Sequence, residues 1–162
     1  MITSKIQGDL IVEFSKMRYD AIVHGCNCFC TMGKGIAKTI KQRFPEAYVE
    51  DCKTSSGDRK KLGTYTKADV SLKTGKPNTY VINAYTQYDY KKTYDGNDIN
   101  VDYDAIKNVF TLLNKDFASK KLGIPKIGAG LAGGDWDKIA GIINSVTPDV
   151  DIELVEFVEF MG

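Results

Sequence analysis

Short apolar runs alternate along this chain with longer stretches in which apolar positions recur every three to four residues. The first pattern predicts strands and the second helices. Ser4–Ile11 reads as an edge strand. Ala21–Cys26 is almost continuously apolar, as expected of a parallel strand buried on both faces. Lys34–Arg43 and Pro45–Thr54 read as helices, with Pro45 tolerated in a first turn. Ser55-Ser56-Gly57-Asp58 is a loop, and Gly63–Val70 and Thr79–Ala84 form a strand pair joined across Lys73–Asn78. Tyr85–Asn100 is polar and aromatic, with Gly96-Asn97-Asp98 at its tip, and reads as a long loop. Asp102–Ser119 is the clearest amphipathic helix: Ile106, Val109, Phe110, Leu113 and Phe117 fall on one face. Leu122–Ile127 is a short strand and Gly128–Gly134 a glycine-rich loop. Asp135–Val146 is a helix capped near Gly134 or Asp135, and Ile152–Phe160 is the last strand. The order is mostly β-α-β-α, which predicts a three-layer α/β/α domain spanning residues 1–162 around a mixed sheet of about six strands.

Composition narrows this picture. A chain of 162 residues has the size of one domain. Its 43% hydrophobic and 27% charged residues are ordinary for a globular protein. A net charge of +1 gives no overall field toward nucleic acid or an anionic membrane, so neither partner is expected. No apolar run approaches the roughly 18 residues of a spanning helix, and MITSKIQGDL lacks the apolar core of a secretory signal. A cytoplasmic monomer is the expectation. The four cysteines, Cys26, Cys28, Cys30 and Cys52, form one cluster and one outlier rather than the paired spacing of a zinc site. They read as small, reduced, buried thiols, and no metal or cofactor is expected.

The candidate chemistry gathers where strands run into helices. The segment His24-Gly25-Cys26-Asn27-Cys28-Phe29-Cys30-Thr31-Met32-Gly33-Lys34-Gly35 joins a strand to a helix, and Gly128–Gly134 joins another pair. In an open α/β sheet, ligands bind outside the carboxyl ends of the strands. A helix N-terminus there offers unpaired N–H groups to a phosphate, and glycine lets backbone amides approach closely. Neither loop is GxxxxGK[ST] or GxGxxG. Two loops on one sheet edge could grip a diphosphate from both sides; the plain alternative is a pair of tight turns. His24 is an acid/base candidate because imidazole titrates near neutrality, or else a buried neutral side chain. Asn27 could bond a sugar hydroxyl or form a turn. Asp135 could orient a water or cap a helix. Asp9 could accept from a base amine or act as an N-cap. The tyrosines from Tyr85 through Tyr94 could wall a pocket.

These residues together resemble a macro domain. The resemblance spans nearly the whole chain. It rests on Gly8-Asp9-Leu10, Cys26-Asn27, the GKGIA turn at 33–37 with Arg43-Phe44-Pro45, Val81-Ile82-Asn83-Ala84, the helix from Asp102, and Pro125-Lys126-Ile127-Gly128-Ala129-Gly130-Leu131 followed by Trp136. His24 three residues before Asn27, with Cys26 and Cys28 around it, is most similar to the ADP-ribose 1″-phosphate phosphatase branch. The resemblance implies an ADP-ribose cleft in which Asp9, with Leu10, meets the adenine amine. Gly33, Gly35, Ile36 and Ala37 would hold the diphosphate and distal ribose together with Gly128, Ala129, Gly130, Leu131, Ala132 and Gly133. Asn27 would face the distal ribose, and Phe157 or Phe160 would stack on adenine. The implied activity is hydrolysis of the terminal phosphate of ADP-ribose 1″-phosphate, with His24, Asn27 and Asp135 as the catalytic set. The alternatives are a reader of ADP-ribose and a hydrolase removing ADP-ribose from protein or nucleic acid. A Lys-dependent route is not matched: Ala132 stands where that branch has its Asp after GxGL, and no Lys falls in Asn83–Tyr88.

Overall fold

The computed structural model describes residues 1–90 and 99–157. The chain runs β1 (Ile2–Gln7), α1 (Leu10–Ser15), β2 (Ala21–Cys26), α2 (Gly35–Arg43), α3 (Pro45–Cys52), a 3₁₀ turn (Arg59–Lys61), β3 (Tyr65–Asp69) and α4 (Ser71–Thr74). It continues through β4 (Tyr80–Tyr85), α5 (Tyr103–Asp116), β5 (Lys121–Ile124), α6 (Trp136–Val146) and β6 (Asp151–Glu156). The six strands form one mixed sheet ordered β1-β6-β5-β2-β4-β3. Every neighbouring pair is parallel except β3 with β4. The three-layer α/β/α reading is met.

Pleat alternation divides the core in two. Ala21 and Val23 of β2 pack on one face with Ile106, Phe110 and Leu113 of α5 and Ile139 and Ile143 of α6. Ile22, one residue out of phase, packs on the other face with Leu10 and Phe14 of α1, Ile40 of α2 and Ala47 of α3. Burying each such large side chain contributes about 1.5–3 kcal/mol. Among the described residues no helix is long and apolar enough to cross a membrane.

One element departs from the sequence expectation. The run Ser4–Ile11 does not stay extended: β1 stops at Gln7, and α1 begins at Leu10. Gly8 breaks the strand and Asp9 caps the helix, its Oδ1 accepting from the N–H groups of Ile11 at 2.9 Å and Val12 at 3.2 Å. The Lys73–Asn78 connection likewise opens with the single turn of α4.

The fold creates its cleft at one place. β2 and β5 are adjacent, but their register pairs only Ala21 with Leu122 and Ile22 with Gly123. Beyond that point the strands part. The chain leaving β2 goes to α2, whose buried face joins the α1–α3 core, and the chain leaving β5 goes to α6, in the α5–α6 core. Such a divergence of connections leaves a crevice at the carboxyl end of the sheet.

Candidate functional site

The two glycine-rich loops face each other across that crevice. It encloses about 890 Å³ and is lined by Asn27, Gly33, Gly35, Ile36 and Ala37 from the first loop and by Gly128, Gly130, Leu131 and Ala132 from the second. The loops also touch: a Cβ on Gly35 would lie 3.4 Å from Leu131 Cδ1. A Cβ on Gly33 or Gly130 would meet nothing within 4 Å, so both glycines front open space.

The walls of the cleft present donors. Helix α2 has Lys34 at its N-cap without a side-chain cap, leaving the amides of its first turn without side-chain partners. In the second loop, the N–H groups of Ala129, Gly133 and Gly134 close turns onto Lys126, Gly130 and Gly128 carbonyls. Those of Gly130 and Leu131 carry no such bond within the loop. Gly128 can make this turn because its φ is +78°, a conformation that favours glycine. Lys34 and Lys126 add positive charge at the lining, with Lys126 Nζ held 3.1 Å from Glu156 Oε1. Among the described residues, the lining contains no carboxylate and no imidazole. The arrangement suits an extended anion that needs backbone donors on both sides.

Asn27 lines the cleft, and its carboxamide orientation is fixed. The Phe29 N–H donates to Oδ1 at 2.8 Å, while Nδ2 donates to the Thr31 carbonyl at 3.1 Å and to Thr31 Oγ1 at 2.7 Å. Flipping the amide would set an N–H against the Phe29 N–H and an oxygen against the Thr31 carbonyl. Both N–H bonds are therefore used, and only Oδ1 has capacity left for a ligand. Asn27 thus forms the turn and also lines the cleft.

Several predicted residues do not line the cleft. His24 is fully buried. As a β2 residue in phase with Ile22, it lies on the α3 side of the sheet and off the lining, where Asn83 Oδ1 is 2.7 Å from its Nε2. Asn83 donates through Nδ2 to the Ala47 carbonyl at 2.9 Å and to Thr66 Oγ1 at 3.1 Å, so its oxygen must accept from His24 Nε2–H. The neutral Nε2–H tautomer follows, with Cys26 Sγ 3.5 Å from Nε2 and 3.8 Å from Nδ1. Burial pulls the imidazole pKa down to about 4, offset only in part by the bond to Asn83. As a general acid/base on a cleft ligand, His24 is corrected by this geometry to a buried neutral side chain.

Asp135 is exposed and caps α6, its Oδ1 accepting from Asp137 N–H at 3.0 Å. It lies off the lining, as do Ala129 and Gly133, whose amides are spent in turns. Asp9 and Leu10 lie off it too. Asp9 is the cap of α1 and Leu10 a core residue, because β1 is an edge strand separated from β5 by β6. Among the described residues, hydrogen bonds reach Asp9 through Oδ1 and none through Oδ2. Phe157 is 70% exposed, and Phe160 and Tyr94 lie outside the described residues.

Sequence reasoning missed other parts of the lining. Thr31 sits in the first loop, Cys26 at the floor, and Lys126 at the end of β5. Gln87 and Tyr90, by contrast, come from the tyrosine-rich segment that the sequence did offer as a pocket wall, and both line the cleft. The signal for Thr31 was a hydroxyl four residues after Asn27, within reach of an Asn-initiated turn. The Cys26 thiol is raised well above its ordinary pKa, chiefly by burial, and stays protonated at neutral pH. Among the described residues no group of three or more His, Cys, Asp and Glu side chains is arranged to hold a metal ion.

Comparison with known proteins yields a family and several relatives. A family model described as the macro domain matches residues 23–143. The chain is 35% identical to an uncharacterised 17.5 kDa protein of Enterobacteria phage T4, over 97% of each chain. It is 27% identical to a Debaryomyces hansenii protein named ADP-ribose 1″-phosphate phosphatase, covering 86% of this chain and 90% of the other. Among solved structures it superposes on Thermosipho africanus DarTG in complex with ADP-ribose with a TM-score of 0.71 at 17% identity, covering 95% of this chain and 42% of that one.

Proposed function

The chain belongs to the macro domain family, and from that premise we propose that its cleft binds ADP-ribose and hydrolyses the terminal phosphate of ADP-ribose 1″-phosphate. One observation carries the binding half: two loops with uncommitted backbone amides face each other across open space at Gly33 and Gly130. A diphosphate between them would receive N–H bonds from Gly35, Ile36 and Ala37 on one side and from Gly130 and Leu131 on the other. Asn27 Oδ1 would accept from a hydroxyl of the terminal ribose. At the adenosine end, Asp9 Oδ2 would accept from the adenine amine, two strands across the sheet from Lys126. The relative named ADP-ribose 1″-phosphate phosphatase supports the reaction.

In that reaction a water oxygen forms a bond to phosphorus while the bond from phosphorus to the ribose O1″ breaks. One water proton passes to O1″, and the products are ADP-ribose and inorganic phosphate. The contribution of the chain is electrostatic: fixed N–H dipoles and Lys34 offset charge on the phosphoryl oxygens without reorganisation. His24 is left out of the proton transfer in this proposal, because it is fully buried and off the cleft lining. Titration calorimetry with ADP-ribose, together with phosphate release from ADP-ribose 1″-phosphate, tests both halves. Binding with release supports the full proposal. Binding without release leaves a reader, and absence of binding defeats the reading of the cleft.

A further inference from the structure

Thr31 is the one hydroxyl in the first loop that lines the cleft. It is exposed, and Asn27 Nδ2 already donates to its Oγ1 at 2.7 Å. Since an amide nitrogen only donates, Oγ1 is the acceptor, and the hydroxyl proton has no partner among the described residues. Accepting one bond also polarises the O–H and strengthens it as a donor. Asn27 is the complement, its remaining capacity being an acceptor on Oδ1. Two side chains four residues apart therefore offer one acceptor and one donor to the same end of the cleft, immediately before the amides of Gly33 and Gly35. The acceptor fits a sugar hydroxyl. The donor fits an anionic oxygen, which gains more than a neutral hydroxyl from such a bond.

We propose that Thr31 is a specificity-determining residue, whose hydroxyl donates to a phosphoryl group on C1″ of the terminal ribose and so separates the 1″-phosphate from the free 1″-hydroxyl. This rests on the reading of the cleft as an ADP-ribose site. Carried further, Thr31 governs which ligand the cleft prefers and leaves the hold on the diphosphate to the loops.

The test is calorimetry of wild type, Thr31→Val and Thr31→Ser with ADP-ribose and with its non-cleavable 1″-phosphonate. Thr31→Val keeps the shape and removes the donor together with the Oγ1 acceptor of Asn27, whose amide stays held by the Thr31 carbonyl and the Phe29 N–H, while Thr31→Ser keeps donor and acceptor. Wild type and Thr31→Ser are expected to prefer the phosphonate by the same ratio. Thr31→Val is expected to lose about tenfold of that ratio and to bind ADP-ribose within about twofold of wild type. Thermal melts establish that each variant is folded, and Thr31→Ala repeats the measurement should Thr31→Val not be. An unchanged ratio in Thr31→Val overturns the proposal, as does an equal loss for both ligands. Wild type binding ADP-ribose without preferring the phosphonate overturns this proposal alone. Wild type binding neither overturns the reading of the cleft as well.

Discussion

Within four residues of one another, strand β2 and its exit build two polar regions of opposite character. His24 begins a buried file in which each donor has an acceptor: Nε2–H to Asn83, Asn83 Nδ2 to Thr66 Oγ1, Thr66 to the Tyr85 oxygen at 3.0 Å, and Tyr85 O–H to Asp51 Oδ1 at 2.7 Å. All the bonds run in one direction, away from the cleft and toward Asp51, whose carboxyl is held above its usual range chiefly by burial. The region from Asn27 to Ala37 is the reverse: exposed glycines, an uncapped helix start and a hydroxyl proton without a partner. The difference shows that a side chain's chemical versatility is a poor guide to where function lies. The imidazole is consumed by structure, whereas unpaired backbone donors facing open space remain available to a ligand.

This contrast can be broken from the buried side first. Asn83→Leu strips bonds from His24, the Ala47 carbonyl and Thr66 at once in a site without water access. It is expected to lower stability by about 3 kcal/mol or more, since each unsatisfied buried group costs roughly 1–3 kcal/mol. Urea denaturation measures it, and a loss under 1 kcal/mol would show that the file is not a stabilising network.

From the cleft side, Gly130→Glu sets a carboxylate where a Cβ meets no neighbour. Like-charge juxtaposition costs several kcal/mol. ADP-ribose affinity should therefore fall by at least ~100-fold while the urea midpoint hardly moves. If affinity survives, the second loop is not an anion wall.

Acid sharpens the comparison. His24 has its folded pKa at about 4, below the unfolded value of roughly 6.5. The unfolded chain therefore binds the proton first as pH falls, and stability drops through the window between those values. Between pH 7 and pH 5 the loss due to His24 is about 2 kcal/mol, and none arises from this group above pH 7. His24→Gln should remove that component. Its phosphate release at pH 7.5, per folded molecule, should stay within about threefold of wild type, and a loss of several orders of magnitude would return His24 to the reaction.

The smallest effect concerns Asp9, which has a structural oxygen and an unbonded one. Asn caps helices about as well as Asp, so Asp9→Asn should change stability by less than about 0.5 kcal/mol. Its amide would offer the adenine amine a donor in place of an acceptor, and ADP-ribose affinity should fall about tenfold. Unchanged affinity would leave Asp9 as a helix cap only.

Much of this was legible in the chain. The apolar run at Ala21–Cys26 and the helical period from Ile106 to Leu113 fixed a sheet buried on both faces and its principal covering helix. The order of elements fixed which loops emerge at carboxyl ends, and the glycines in those loops marked where backbone fronts the open cleft. Elements and turns depend on neighbours along the chain, and their signals therefore lie in local residue order. Whether a polar side chain at a strand end enters the cleft or the core depends instead on pleat phase and on residues distant in sequence. His24 pairs with Asn83, 59 residues away, and no local pattern announces that bond. The same holds for Asp9, for which strand order rather than residue type set the distance from the cleft. Thr31 acquired its role only when the turn closed and Asn27 took its lone pair. The sequence determined the sheet, its layers and the two loops; the tertiary structure alone decided which polar groups were spent on one another and which were left for a ligand.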